Sequence, residues 1–318
     1  MRKKVLFIGM LVTLLFAFSG CGTKNEGVVT LIMSDVQEGD HPTAQACDKF
    51  AELVKKRTNG KVVIEVYHGS TLGTEAEQIA QATVGGIDFV RVSSPVAAYY
   101  DDIKAFQALY SSEDDMWKVL DGEIGNEFLK AQQLKDNGLE GLCWISGGSR
   151  NFYNNVRPIT SPEDLAGLTL RVNTDSMFAF LESCGAKGIN VSYNDIYNSI
   201  EAGTIDGAEN NWPSYISTGH YKVAPYITVD EHTRIPEMIV ASTESMNKLT
   251  SEQQQIVREC AQEAGQLQRK WMQEYDEKAI KAAEDAGCTI TYLTKEQSAK
   301  FQSVAEPINE KVSAKYMT

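Results

Sequence analysis

Apolar and polar positions change period repeatedly along this chain. The first block stands apart: Met1-Arg2-Lys3-Lys4 is basic, and Val5 to Phe18 is almost wholly apolar. That run is shorter than the ~20 residues a spanning helix needs, so it predicts a secretory signal and not an anchor. Val28 to Met33 is a β-branched run suited to a buried strand. From Pro42 the apolar residues Ala46, Phe50, Leu53 and Val54 recur at helical spacing until Thr58-Asn59-Gly60 stops them. Lys61 to Tyr67 predicts a strand, Glu75 to Val84 a helix closed by Gly85-Gly86, and Ile87 to Val92 another strand. Strand, helix, strand, helix, strand in such short steps predicts parallel βαβ units.

The alternation returns in the second half. Leu139 to Ile145 and Leu168 to Val172 predict strands; Phe178 to Cys184 and Asp195 to Ala202 predict helices ending at Gly185 and Gly203. Ser161-Pro162-Glu163-Asp164-Leu165 has the composition of a capped helical turn, with Ser161 as N-cap and proline at the first helical position. Ser251 to Ala286 is one long, charged, proline-free helical stretch carrying Ile256, Val257, Cys260, Ala264, Leu267, Trp271 and Ala279. These positions keep no strict heptad and have no matching second segment, so a helix lying across two domains is expected rather than a coiled coil. The 318 residues exceed the usual single core, which also points to two domains.

After the first apolar run, Ser19-Gly20-Cys21 resembles a bacterial lipobox, in which Cys21 becomes an acylated N-terminus, and residues 22–27 form a polar tether. Loss of residues 1–20 removes Arg2, Lys3 and Lys4 and no acid, taking the formal net charge from −13 to about −16. So acidic a chain is a poor partner for nucleic acid. The remaining cysteines, Cys47, Cys143, Cys184, Cys260 and Cys288, are odd in number and irregularly spaced. No Cys-x-x-Cys or Cys/His cluster supports a metal, and buried thiols are expected.

Catalytic patterns are lacking. There is no Gly-x-Ser-x-Gly elbow, phosphate loop, dinucleotide fingerprint or His-Glu-x-x-His, and the four histidines (His41, His68, His220, His232) fit no triad pattern. The candidate chemistry is that of binding. Arg171 ends an apolar strand, where a guanidinium could grip a carboxylate through two parallel hydrogen bonds. Arg150 follows the Gly147-Gly148 turn, and Arg91 sits within a strand end, so three arginines at strand ends suggest an anion site. In Glu209-Asn210-Asn211-Trp212-Pro213-Ser214-Tyr215, two amides suit hydroxyls and carboxylates, and Trp212 and Tyr215 offer faces for a sugar ring. A loop that merely caps a helix is the alternative for that segment.

Leu168 to Ser242 resembles the core signature of the extracytoplasmic solute-binding subunits of tripartite ATP-independent periplasmic (TRAP) transporters. The resemblance rests on Ser161 to Gly167, Leu170-Arg171-Val172, Gly203 to Asn210, His220-Tyr221 with Val223 to Tyr226, and His232. Upstream, His41-Pro42, Arg57 to Gly60, Leu72-Gly73 and Gly86-Ile87-Asp88 fit the family's first domain. Asn210 to Tyr215 and Gly147-x-x-Arg150-x-Phe152-Tyr153 most resemble members that bind hexuronates. The resemblance implies Arg171 as the partner of the ligand carboxylate, Arg150 as a second cation, Tyr193 packing on the ligand, Asn210 bonding to it, and Ser93 as a first-domain contact. His41 and Arg91 are further additions. Gln107, Tyr110 and Asp115 depart from the family pattern, as do Gly188 and Asn190, which replace prolines before Tyr193.

The implied fold is α/β, a two-domain periplasmic-binding-protein type of class II with a ligand cleft and a long helix spanning both domains. Residues 1–20 would be the signal peptide and 21–27 the lipidated tether. Residues 28–148 plus about 237–275 would form the first domain, and 149–236 plus about 276–318 the second. The implied function is capture of an organic acid, a hexuronate such as glucuronate or galacturonate, by a cofactor-free monomeric lipoprotein that delivers it to a membrane permease. The alternatives are another carboxylate (a C4-dicarboxylate, sialic acid or another sugar acid), a ligand-presenting sensor subunit, or an extracytoplasmic enzyme acting on sugar acids.

Overall fold

The computed structural model describes residues 27–93 and 108–316. Cys21 and the signal, and also Gln107, lie outside the described residues. The chain begins with β1 (Val29–Ser34), α1 (Pro42–Arg57), β2 (Val62–Tyr67), α2 (Glu75–Thr83) and β3 (Phe89–Ser93). β1 pairs in parallel with both β2 and β3, as the short βαβ steps require. Three short helices, α3 (Glu113–Leu120), α4 (Glu123–Leu129) and α5 (Gln132–Asp136), lead into β4 (Leu139–Asn154). Next come β5 (Thr169–Arg171), α6 (Asp175–Ser183), β6 (Lys187–Ile189), α7 (Ile196–Glu201), β7 (Gly207–Asn210) and α8 (Trp212–Ser217). The chain ends with β8 (Tyr226–Ser242), α9 (Thr243–Met246), α10 (Ser251–Asp285), β9 (Thr289–Tyr292) and α11 (Lys295–Tyr316).

The described strands form one path, β2-β1-β3-β8-β4-β7-β5-β6, with β9 added beside β8. Two antiparallel strands of unusual length, β4 and β8, run through both halves of the molecule. Their pairing slips between Ser146 and Ser149, opposite Pro236. A β-carbon at Gly147 would stand 2.3 Å from the Ile235 carbonyl, so only glycine allows the strands to pass this closely. Pro236 lacks an N–H to give the ladder and suits such an irregular position.

Each half has its own core. In the first, Phe50, Phe89, Ile145 and Ile239 pack under α1 and the start of α10; in the second, Phe152, Phe180, Leu170 and Phe301 pack with Tyr153, Ile196 and Ala279 beside them. α10 contributes Val257, Cys260 and Ala264 to the first core and Ala279 and Ala283 to the second, so it spans both. At 35 residues it is about 52 Å long. Thr250 starts it through a capping box with Gln253. Ser161 and Asp164 likewise cap a 3₁₀ turn over Pro162–Leu165. Cys47, Cys143, Cys184 and Cys260 are buried free thiols, and Cys288 is half-buried. Among the described residues no helix is long and apolar enough to cross a membrane.

Candidate functional site

The two halves enclose a cavity of about 420 Å³, within the range of small-molecule sites. The second half supplies Arg171 from the carboxyl end of β5, Asn210 from the carboxyl end of β7, and Arg150 from β4 beyond the slip. β5 and β7 are parallel neighbours, so their carboxyl ends open on the same side, where ligands of open α/β sheets bind.

The two arginines of this wall differ in one respect. Arg150 donates from Nε and Nη2 to the two carboxylate oxygens of Glu209, and from Nη1 to Asn210 Oδ1 at 2.8 Å. Burial pushes the Glu209 carboxyl up, but Arg150 and His232 outweigh it and hold it at about 2. His232 is itself buried between carboxylates, with Nδ1 3.0 Å from Asp230 and Nε2 3.3 Å from Glu209. Burial disfavours its charge, yet the two acids raise it to about 9, so it is an imidazolium donating from both nitrogens. Asp230 also accepts from Tyr110 Oη and from the Phe152 N–H.

Arg171 is as deeply buried but has no carboxylate within ion-pair distance among the described residues. Its Nε donates to the Val191 carbonyl at 3.0 Å, and its side chain lines the cavity. Burial lowers its hold on the proton, the more distant Glu209 opposes this, and neighbouring Arg150 lowers it further. An anion in the cavity would supply what this guanidinium lacks.

Asn210 is oriented by two donors, since Arg150 and the Asn211 N–H both point at Oδ1. That fixes its amide nitrogen as the group free to donate into the cavity. Asn211 instead holds the frame: Nδ2 donates to the Gly147 carbonyl and Oδ1 accepts from Ser214 N, capping α8. Asn173 lines the same wall with a buried, unpartnered Oδ1.

The first half presents a different wall. Arg91 Nε donates to Asp35 at 2.9 Å; its Nη1 lies 3.2 Å from Glu237 and 3.6 Å from Glu75. Acids of its own wall take Nε and Nη1, while Nη2 is a buried donor without a hydrogen-bond partner. Ser93 donates from its backbone N and its Oγ to Glu75. Burial raises the Glu237 carboxyl first, Arg91 opposes this, and Glu75 and Asp35 add to the rise, leaving it at about 7. Tyr193 Oη donates to Gln37 Oε1 at 2.8 Å and Ser70 Oγ to Asn194 Oδ1 at 3.0 Å, and these bonds tie the halves across the cleft.

Of the residues expected at the site, Arg171, Arg150, Asn210, Asn211, Tyr193, Ser93 and Arg91 line this cavity. Three do not, among the described walls. Trp212 and Tyr215 stand on the inward face of α8 in the second core; Tyr215 packs 4.9 Å from Tyr153 and donates to the Ala224 carbonyl. Their spacing of three puts both on one helix face, and that face is turned to the core by the Asn211 cap, so no ring is offered to a ligand. His41 is buried as the N-cap of α1, its Nδ1 accepting from Thr43 N and its Nε2 3.4 Å from Ser214 Oγ. Burial pushes its imidazole down to about 3, so it is neutral. Glu75, Glu237 and Asn173 were not anticipated. The signal available for Glu237 is an acid inside the apolar run Ile235 to Ala241.

Comparison with known proteins agrees with this architecture. Residues 33–315 match the bacterial extracellular solute-binding proteins of family 7. A solute-binding protein of Chromohalobacter salexigens is 33% identical over 278 residues, covering 86% of this chain and 82% of its own. The crystal structure of a TRAP periplasmic solute-binding protein from Sulfitobacter sp., with bound β-D-galacturonate, superimposes with a TM-score of 0.84 at 31% identity, over 90% of this chain and 95% of that one. One from Citrobacter koseri, with bound D-glucuronate, gives 0.83 at 32% identity over 91% and 96%. The chain is thus an extracytoplasmic solute-binding protein and not an enzyme, and it belongs to family 7 of the bacterial extracellular solute-binding proteins, those of TRAP transporters.

Proposed function

We propose that this protein captures a hexuronate, glucuronate or galacturonate, and delivers it to a membrane permease. The observation that carries the reading is Arg171, a buried cavity arginine without a carboxylate partner among the described residues. A ligand carboxylate would take its terminal nitrogens, with the Asn210 amide nitrogen donating beside it and Tyr193 packing on the ring. The uronates bound in the similar structures support the same class of ligand. The halves would hinge at 148/149 and 236/237, beside the slip of β4 and β8 between the pairs Ser146–Pro236 and Ser149–Arg234. Residues 28–148 plus about 237–275 would then move against 149–236 plus about 276–318. The protein would act as a monomer held to the membrane by lipid on Cys21; Cys21→Ser, which abolishes acylation, should release it from the membrane fraction.

A thermal-shift screen of the chain from Gly22 onward, against hexuronates, C4-dicarboxylates, sialic acid and neutral hexoses, tests the ligand class, because binding to the native state raises its stability. A large rise with a hexuronate is the expected result. A rise confined to neutral hexoses would remove the role of Arg171.

A further inference from the structure

The first-half wall of the cavity carries more acid than base. Asp35, Glu75 and Glu237 surround the single guanidinium of Arg91, and Glu75 and Glu237 themselves line the cavity. His68 lies 3.7 Å from Asp35, but it is also 3.0 Å from Asp48, so its charge is shared with an acid outside the wall. Arg91 lines the cavity with an unpartnered Nη2 but is only 1% exposed, and it cannot swing out to meet a ligand without leaving three carboxylates behind. The second-half wall, by contrast, leaves Arg171 without a carboxylate partner among the described residues, because Arg150 is paired to Glu209.

We infer that Glu75 and Glu237 form a charge filter: the cleft admits acids bearing one carboxylate and hydroxyls elsewhere, and rejects acids with a second carboxylate at the far end. This rests on the proposed grip of Arg171 on a carboxylate. Carboxylate oxygens accept hydrogen bonds from hydroxyls, so the filter recognises a polyol face as well as excluding an anion. The wall already resists its own negative charge: burial pushes the Glu237 carboxyl upward, and Glu75 and Asp35 add to the rise against Arg91. A ligand carboxylate placed there would meet the same repulsion in a site that excludes water.

The test is calorimetric titration of the wild type, Glu237→Gln and Glu75→Gln with glucuronate and with glucarate at about pH 8, above the titration of Glu237. Glucarate carries carboxylates at both ends of the same six carbons. Comparing the glucuronate-to-glucarate affinity ratio between wild type and variant cancels the difference between ring and open chain. The wild type should prefer glucuronate, and each substitution should lower the ratio by about tenfold or more. Glu75→Gln serves alone should Glu237→Gln not fold. A wild type that binds both acids equally, or a ratio unchanged in the variants, overturns the filter while leaving capture by Arg171 intact. Failure of the wild type to bind either acid overturns both.

Discussion

Arg150 and Glu209 form a buried fork-to-fork ion pair, Nε and Nη2 on one side and both carboxylate oxygens on the other. Arg171, in the same wall, has no such partner among the described residues. The two arginines should therefore respond oppositely to substitution. Arg150→Met leaves the Glu209 carboxylate buried with only His232, which costs about 3–5 kcal/mol of stability when a buried pair is broken. Arg171→Met removes a buried charge that no carboxylate pairs among the described residues, so its melting temperature should equal or exceed that of the wild type. Its affinity for a hexuronate should fall by about 100-fold or more, since charge-assisted hydrogen bonds contribute roughly 1.5–3 kcal/mol each. Calorimetry with differential scanning separates the cases. A destabilised Arg171→Met with unchanged affinity would reverse the assignment.

Behind Arg150, His232 links Glu209 to Asp230 and gives the fold a pH dependence. Its folded pKa of about 9 lies above the 6.5 of a free imidazole. Its contribution is therefore complete below about pH 6.5 and is lost as pH rises through about 9. His232→Gln should be less stable than wild type near neutrality, and the gap should close as the pH approaches about 10. Melting curves of the two proteins across that range decide the matter, because titrating groups outside this cluster cancel in the difference and Glu209, also held down by Arg150, titrates far below it. A gap that stays constant means that His232 is neutral in the fold.

How far these features were legible in the sequence depended on what the apolar pattern could carry. β1, α1, β2, α2 and β3 follow from blocks of one period bounded by Gly and Asn, and α10 follows from a long proline-free stretch. β4 was expected to stop at Ile145 because Gly147-Gly148 looks like a turn, but those glycines instead permit the close strand crossing. β8 was missed because Asp230, Glu231, His232 and Arg234 break the alternation of a strand. Asp230 and His232 build the ionic network behind Arg150, with Glu209 and Tyr110 as partners far away in sequence, while Glu231 and Arg234 pair with each other. Arg171 and Asn210 could be found as polar residues at the ends of apolar strands. Trp212 and Tyr215 could not be told from binding aromatics, because their direction depends on how α8 seats against the second core. α11 is amphipathic only weakly and contains Pro307, which hides it from any periodic reading.

The seating of α10 on β4 can be probed at Gly265. A β-carbon there would lie 2.8 Å from the Trp144 carbonyl and 3.2 Å from the Cys143 sulfur. Gly265→Ala gains up to about 1 kcal/mol of helix propensity, yet overpacking against a rigid strand costs about 1–3 kcal/mol. The net effect should be a lower melting temperature, by roughly 2–4 °C for each kcal/mol lost. A rise in melting temperature would mean that the helix can lift from the strand without loss.

The cross-cleft bond from Tyr193 Oη to Gln37 Oε1 exists only when the two halves are together. Tyr193→Phe keeps the ring, and with it any packing on a ligand, while removing this bond from the closed form. Encounter with the open form should be unaffected, so the association rate constant should stay within about twofold of wild type. Dissociation requires reopening and should accelerate by up to about tenfold, the equivalent of a net hydrogen bond of roughly 0.5–1.5 kcal/mol. Stopped-flow measurement of both rate constants with the hexuronate is the check. If association slows and dissociation does not change, the tyrosine hydroxyl acts before closure, in contact with the incoming ligand, and the latch assigned to it is wrong.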